Sequence, residues 1–91
     1  MLTFAQAITI ARRSIKTVSG TNVGDIDQND IFDMVGVPDD TGLRLVKRLA
    51  CESMEFGAPK YMHSLDITSL ATITTGSTVG DFADRIKEKA H

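Results

Sequence analysis

A chain of 91 residues, 42% of them hydrophobic, is long enough for one compact domain and too short for two, so we expect a single domain over residues 1–91. The formal net charge of -2 argues against a general nucleic-acid or membrane-surface binder, because such proteins carry a strong basic excess. One cysteine excludes an internal disulfide and a cysteine-rich metal site, and no apolar run approaches the roughly 18 residues that span a bilayer.

The first predicted element is a helix that begins after Thr3 and ends at Gly20. Threonine is a good N-cap, and glycine commonly ends helices. Apolar residues recur between them at spacings of three and four, which places them on one face. This face comprises Phe4, Ala7, Ile8, Ala11, Ile15 and Val18. A polar connection follows over residues 21–30. A short helical turn is then predicted for residues 30–35, and it ends at Gly36.

The clearest predicted element is a second long helix, which ends before Gly57 and Pro59. Its start signal is Pro38-Asp39-Asp40-Thr41, which puts acidic residues at the positive end of the helix dipole. The predicted buried stripe comprises Leu43, Val46, Leu49, Ala50 and Met54. Core positions are predicted for Leu43, Val46, Leu49, Phe56 and Phe82. We accordingly expect Leu49→Ala to cost about 2–4 kcal/mol.

The last part of the chain predicts a loop and a third main helix. Residues 60–77 are rich in threonine and aliphatic side chains, which is typical of extended structure or of one short helix in a loop. The final helix is predicted from Thr78 to about Lys89. It opens with Thr78-Val79-Gly80-Asp81, a short acidic variant of the capping box. The predicted inward-facing residues are Val79, Phe82, Ala83 and Ile86.

This order of elements resembles an acyl carrier protein, and two local patterns carry the resemblance. The first is Phe32-Asp33-Met34-Val35-Gly36, followed by Pro38-Asp39-Asp40 and a helix closing with Glu55-Phe56-Gly57. The second is Thr78-Val79-Gly80-Asp81-Phe82, which is similar to the opening of the family's final helix. The resemblance spans nearly the whole chain. It implies an all-α, acyl-carrier-protein-like bundle of three main helices plus a short helix, acting through protein–protein recognition in a biosynthetic or regulatory system.

The chain departs from the carrier family at the modification site. Carrier proteins present a serine there, whose hydroxyl takes the 4'-phosphopantetheine arm, whereas Asp39 occupies the matching position here. A carboxylate cannot accept that linkage, and the hydroxyl of Thr41 lies two residues further on. We therefore predict no cofactor at this position. The alternative is a true carrier modified at Ser64, because His63-Ser64-Leu65-Asp66 imitates the motif, although Ser64 lies much closer to the last helix than the family's serine does.

A second departure is the charge of the second helix, which is usually acidic in carriers and is read by basic partners. Here the helix carries Arg44, Lys47 and Arg48. We predict that these three residues and Asp40 bind a protein partner, such as a synthase or transferase with an acidic docking surface. The alternative is an ordinary solvated helix face. No membrane partner is expected. Because Arg12 and Arg13 follow the apolar N-terminus, an order opposite to that of a signal peptide, we expect a cytoplasmic protein.

A helix-turn-helix DNA-binding regulator is the competing hypothesis, with residues 29–49 as the motif and 40–49 as the recognition helix. Gly42 is unfavourable inside a recognition helix, costing about 1 kcal/mol, and two aspartates would approach DNA phosphates. The cations that would have to converge are Arg12, Arg13, Lys16, Arg44, Lys47 and Arg48. Nucleic acid is therefore the less favoured partner.

No set of residues assembles a catalytic site, so we predict a protein that is not an enzyme. Cys51 lies in the second helix with no histidine close in sequence, and His63 and His91 are isolated. The acidic stretch Asp25 to Asp33 lacks the glycine and glutamate of a calcium loop, so turn and cap roles are predicted for its acids and no metal site is expected.

Overall fold

The computed structural model describes residues 2–55 and 64–91, with only the backbone of Glu55. In this part of the chain the regular structure is helical, apart from one isolated antiparallel bridge between Ile31 and Thr78. The helices are α1 (Phe4–Ser19), α2 (Asp40–Glu55), α3 (Val79–Lys89) and the 3-10 helices η1 (Val23–Asp25), η2 (Phe32–Val35) and η3 (Ile67–Leu70). The predicted all-α bundle of three main helices is confirmed. No helix in the described ranges is long and apolar enough to cross a membrane.

Both ends of α1 lie where the sequence predicts them. The Thr3 hydroxyl accepts a hydrogen bond from the Gln6 N–H at 3.1 Å, and the Gln6 side chain accepts one from the Thr3 N–H at 2.9 Å, which completes a capping box. Gly20 ends the helix in the left-handed conformation with φ of 77°. The buried face of α1 packs against both α2 and α3.

The buried stripe of α2 comprises Leu43, Val46, Ala50 and Met54. The prediction that Leu49 belongs to the core is wrong, because Leu49 is half-buried. Successive helix residues point about 100° apart, so Ala50 takes the inward direction and leaves its neighbour Leu49 at the edge of the stripe. Phe56 and the predicted helix end at Gly57 and Pro59 lie outside the described residues.

The predicted capping box of α3 is confirmed. The Thr78 hydroxyl accepts from the Asp81 N–H at 3.0 Å, and the Asp81 carboxylate accepts from the Thr78 N–H at 3.2 Å. All four predicted inward-facing side chains of α3 are fully buried. Among them, Phe82 meets Phe32 edge to face, with ring centroids 5.4 Å apart, a geometry that aromatic pairs favour.

Residues 28–33 and 75–80 form a hydrogen-bonded seam between the long loop and the start of α3. The Gln28 carbonyl accepts from the Gly80 N–H at 2.7 Å, and the Asp30 carbonyl accepts from the Val79 N–H at 2.8 Å. A β-carbon on Gly80 would lie 3.0 Å from the Gln28 carbonyl oxygen, so glycine permits this close approach. Two N–H groups that the helix start leaves without intrahelical partners are thereby satisfied by the loop.

The two short predicted elements are also present. The turn predicted for 30–35 is η2, which buries Phe32 and Val35 and ends at Gly36 with φ of 86°. Of the stretch 60–77, residues 60–63 lie outside the described residues. The remainder contains η3 in an otherwise irregular loop, which is the short-helix alternative of the prediction.

Candidate docking groove

An open groove of about 610 Å³ runs between α2 and the segment 67–74. The buried side chains of Leu43 and Ile73 form its base. The wall on α2 comprises Asp40, Arg44, Lys47 and Arg48. These four residues are the ones that the sequence singled out for partner binding. The structure therefore brings them together beside one groove, because positions 40, 44, 47 and 48 share one side of a helix.

The opposite wall was missed by the sequence analysis. It comprises Ile67, Thr68, Ala71 and Thr74, which belong to η3 and the turn after it. Leu70 is fully buried and anchors η3 in the core, so the exposed Ile67 is held at the groove. The sequence signal for this wall was the mixture of threonine and aliphatic residues in the stretch 60–77, but that pattern does not distinguish a strand from a short helix.

The groove is cationic although the chain as a whole is acidic. Three cations, Arg44, Lys47 and Arg48, stand against the single carboxylate of Asp40, which gives the groove a formal charge of +2 in a chain of -2. Within the described ranges, one ion pair is formed, between a guanidinium nitrogen of Arg85 and a carboxylate oxygen of Glu88 on α3, 3.9 Å apart. None of the three groove cations forms such a pair there. The groove therefore presents positive charge that is available to a partner.

Lys47 is the groove cation most affected by its surroundings, since it is half-buried whereas Arg44 and Arg48 are exposed. Burial lowers the pKa of the Lys47 ammonium from its ordinary value of 10.5, the Asp40 carboxylate opposes this shift, and Arg44 adds to it. The charged form of Lys47 is thus less well solvated than that of a free lysine. An anion placed in the groove would supply the stabilisation that water no longer provides.

Asp39, which the resemblance to carriers would align with their modified serine, caps α2. Its carboxylate oxygen Oδ1 accepts a hydrogen bond from the Gly42 N–H at 2.7 Å, and its carbonyl accepts from the Leu43 N–H at 3.1 Å. This is the role of an N-cap residue, which satisfies N–H groups that have no partner within the helix. Asp39 and Thr41 are both exposed. The aspartate therefore has a structural function at the place where a carrier would hold its arm.

Ser64, the alternative modification site, lies in a different setting. It is exposed, and its backbone pairs in both directions with that of His91 at the other end of the described segment. The element that follows it is η3, which has only four residues. Between Ser64 and α3 there is no long helix of the kind that follows the modified serine in carriers. His63, the first residue of the imitated motif, lies outside the described residues.

The acids of the long loop have local roles. The Asp27 carboxylate accepts from the Asn29 N–H at 3.3 Å, and the Asp30 carboxylate accepts from the Asp27 N–H at 3.0 Å. These are turn interactions of the predicted kind. Across the ranges 2–55 and 64–91, no three histidine, cysteine or acidic side chains are grouped as a metal site. Cys51 is half-buried against the core.

The geometry does not favour the helix-turn-helix alternative. Its first helix would be η2, which is a four-residue 3-10 helix, whereas such motifs pack two α-helices across each other. Arg12 is less available to a DNA-facing footprint than the sequence suggests, because its Nε donates to the Ile26 carbonyl at 2.8 Å in a partly buried position. One of the six cations that this footprint needs is therefore engaged within the fold.

No protein-family model matches the chain, and neither a curated protein nor a solved structure is significantly similar to it. The resemblance to carrier proteins consequently rests on the motifs and on the order of the elements.

Proposed function

We propose that this chain is a carrier-protein-like docking domain that holds no prosthetic arm at the start of α2 and binds a protein partner along the groove. The observation that carries the proposal is the grouping, beside an apolar base, of three cations that form no ion pair with any described residue. Surface charge of one sign steers association and selects partners of the opposite sign. The partner is therefore a protein with an acidic docking surface, as in a synthase or transferase of a biosynthetic or regulatory system.

The carrier-like part of the proposal is supported by the order of the helices and by the two matching motifs. Its test is intact-mass analysis after incubation with a broad-specificity phosphopantetheinyl transferase and coenzyme A. We expect the natural chain to keep its mass, and Asp39→Ser to gain one phosphopantetheine group on α2. Modification of the natural chain, at Ser64 or elsewhere, would identify an ordinary acyl carrier. Failure of Asp39→Ser to react would remove the functional meaning of the resemblance.

The docking part of the proposal is tested with charge-reversed variants. The groove variant is Arg44→Glu/Lys47→Glu/Arg48→Glu, and the control is Arg13→Glu/Lys16→Glu/Lys87→Glu, which reverses three exposed cations outside the groove. Proteins retained by the immobilised natural chain are identified by mass spectrometry, and binding is remeasured by calorimetry with the purified partner. We expect the control to bind and the groove variant to fail while its thermal stability is nearly unchanged.

Equal binding by the two variants would reject the assignment of the groove. Duplex DNA serves as the reference ligand in the same experiment. A salt-dependent affinity for DNA that the groove variant loses would favour the regulator hypothesis instead.

A further inference from the structure

The groove also indicates the chemistry of the segment that occupies it. We propose that it binds one amphipathic α-helix of a partner protein, in which carboxylates flank a short row of aliphatic side chains. This inference rests on the proposed docking function and deepens it. Two features of the groove carry it: an apolar strip formed by its base and the aliphatic residues of the 67–74 wall, and a row of cations along the α2 wall.

The apolar strip favours an occupant with apolar side chains over one that is only an anion. Leu43 and Ile73 are buried at the base of the groove, and the exposed apolar surface comes from Ala71 and from Ile67, which is 37% exposed. Burying exposed apolar surface stabilises a complex by about 25 cal/mol per Å². A phosphate or a polyanionic chain would leave this strip in water, whereas aliphatic side chains of a helix would cover it.

The known modes of peptide recognition narrow the backbone conformation of the occupant. Strand addition requires a free sheet edge, and the described ranges contain only an isolated bridge. Proline-rich segments dock into grooves lined by aromatic rings, but none of the described residues that line this groove is aromatic. The remaining mode for an apolar groove is a helix laid along it, with anchors at spacings of three and four.

The cations have the spacing that such a helix can match. Lys47 and Arg48 follow Arg44 by three and four residues, so the three cations lie along about one turn of α2, a rise of about 5.4 Å. Carboxylates at positions i, i+3 or i+4 of a helix in the groove would have the same spacing as these cations, so each could face one of them. Asp40 lies one turn before Arg44 and repels carboxylates at that end. The occupant should therefore be acidic opposite Arg44 to Arg48 and neutral or basic opposite Asp40.

The probe for this proposal is a synthetic Ala-rich helical peptide with leucines at i, i+4 and i+7 and glutamates beside them. It is titrated into the full isotope-labelled chain, and binding is followed by amide chemical shifts. We expect saturable shifts in the segments 43–48 and 67–74. Two matched peptides replace the leucines by serine or the glutamates by lysine, and both should bind at least about tenfold more weakly, a difference of about 1.4 kcal/mol.

The matching protein variants are Arg44→Gln/Lys47→Gln/Arg48→Gln and Ile67→Ser, with Arg13→Gln/Lys16→Gln/Lys87→Gln as the control. The first should lose about tenfold in affinity, because three charge pairs of modest strength at the protein surface together amount to a factor of about ten. Ile67→Ser should weaken binding several-fold, and the control should bind as the natural chain does. Unchanged amide spectra away from the substitutions verify that each variant is folded.

Three results would overturn the proposal. These are equal binding of the serine peptide, equal shifts with polyglutamate or inorganic phosphate, and no shifts at millimolar peptide. They leave the docking function standing if the partner identified by capture still requires the groove cations. Conversely, the docking function itself is rejected if the captured partner binds the groove variant as tightly as it binds the natural chain.

Discussion

Removal of the Asp39 side chain should uncap α2 and destabilise the whole domain. Asp39 Oδ1 accepts from the Gly42 N–H at 2.7 Å, and replacing such a cap by alanine costs about 0.5–2 kcal/mol. Because Asp39 is exposed, the interaction of its charge with the helix dipole adds only a few tenths of a kcal/mol. We therefore expect Asp39→Ala to lower the free energy of unfolding by about 1 kcal/mol, which for a domain of this size lowers Tm by about 4–8 °C.

The structure offers a matched control for this measurement. Asp66 precedes η3 in the same N-cap position, but its side chain makes no cap hydrogen bond. Urea unfolding followed by circular dichroism should therefore show a smaller loss for Asp66→Ala, below about 0.5 kcal/mol. Asp39→Ser should keep most of the stability, because serine is an equally good cap. Equal losses in Asp39→Ala and Asp66→Ala would refute the capping role of Asp39.

Three further substitutions test the packing and the electrostatics. Leu43→Ala should cost about 2–4 kcal/mol in urea unfolding, and Leu49→Ala less than half as much, because only Leu43 is buried; equal costs would contradict the burial pattern. Gly36→Ala should cost at least about 1 kcal/mol, since its φ is 86° and a β-carbon would lie 2.9 Å from the Ser19 Cβ; a neutral effect would argue against that conformation. Burial lowers the pKa of Lys47, so the unfolded state binds more protons between that pKa and 10.5, and stability rises with pH in this window. The free energy of unfolding of the natural chain should therefore rise relative to that of Lys47→Met as the pH increases through this window. If the difference between the two proteins does not change with pH, Lys47 is not desolvated.

The helix boundaries could be predicted because they depend on local chemistry. Thr3, Gly20 and the Thr78 capping box act within one helical turn, so the identities of neighbouring residues are sufficient to locate them. The buried stripes followed from the helical period in the same way. Leu49 was misassigned because the period fixes the centre of a stripe but not its width, which depends on how closely the neighbouring element approaches.

The groove could be predicted only in part. The α2 wall follows from one helix, so Asp40, Arg44, Lys47 and Arg48 were found together. The other wall depends on where η3 lies against α2, which is a tertiary contact between the groove-lining segments 40–48 and 67–74, about twenty residues apart in the chain. The hydrogen bond from Arg12 to the Ile26 carbonyl is a similar case, since it engages within the fold a cation that the sequence counts among those of a possible DNA footprint.

The seam between residues 28–33 and 75–80 has a consequence for how this chain reaches its native state. It joins segments about fifty residues apart, so its hydrogen bonds cannot form until most of the chain has closed into a loop. Such long-range pairings slow folding, because the entropy of closure is lost before the contacts compensate for it. The first turn of α3 should accordingly consolidate late, and the amide protons of Val79 and Gly80 should become protected from exchange in the same step as those of Phe32 and Asp33.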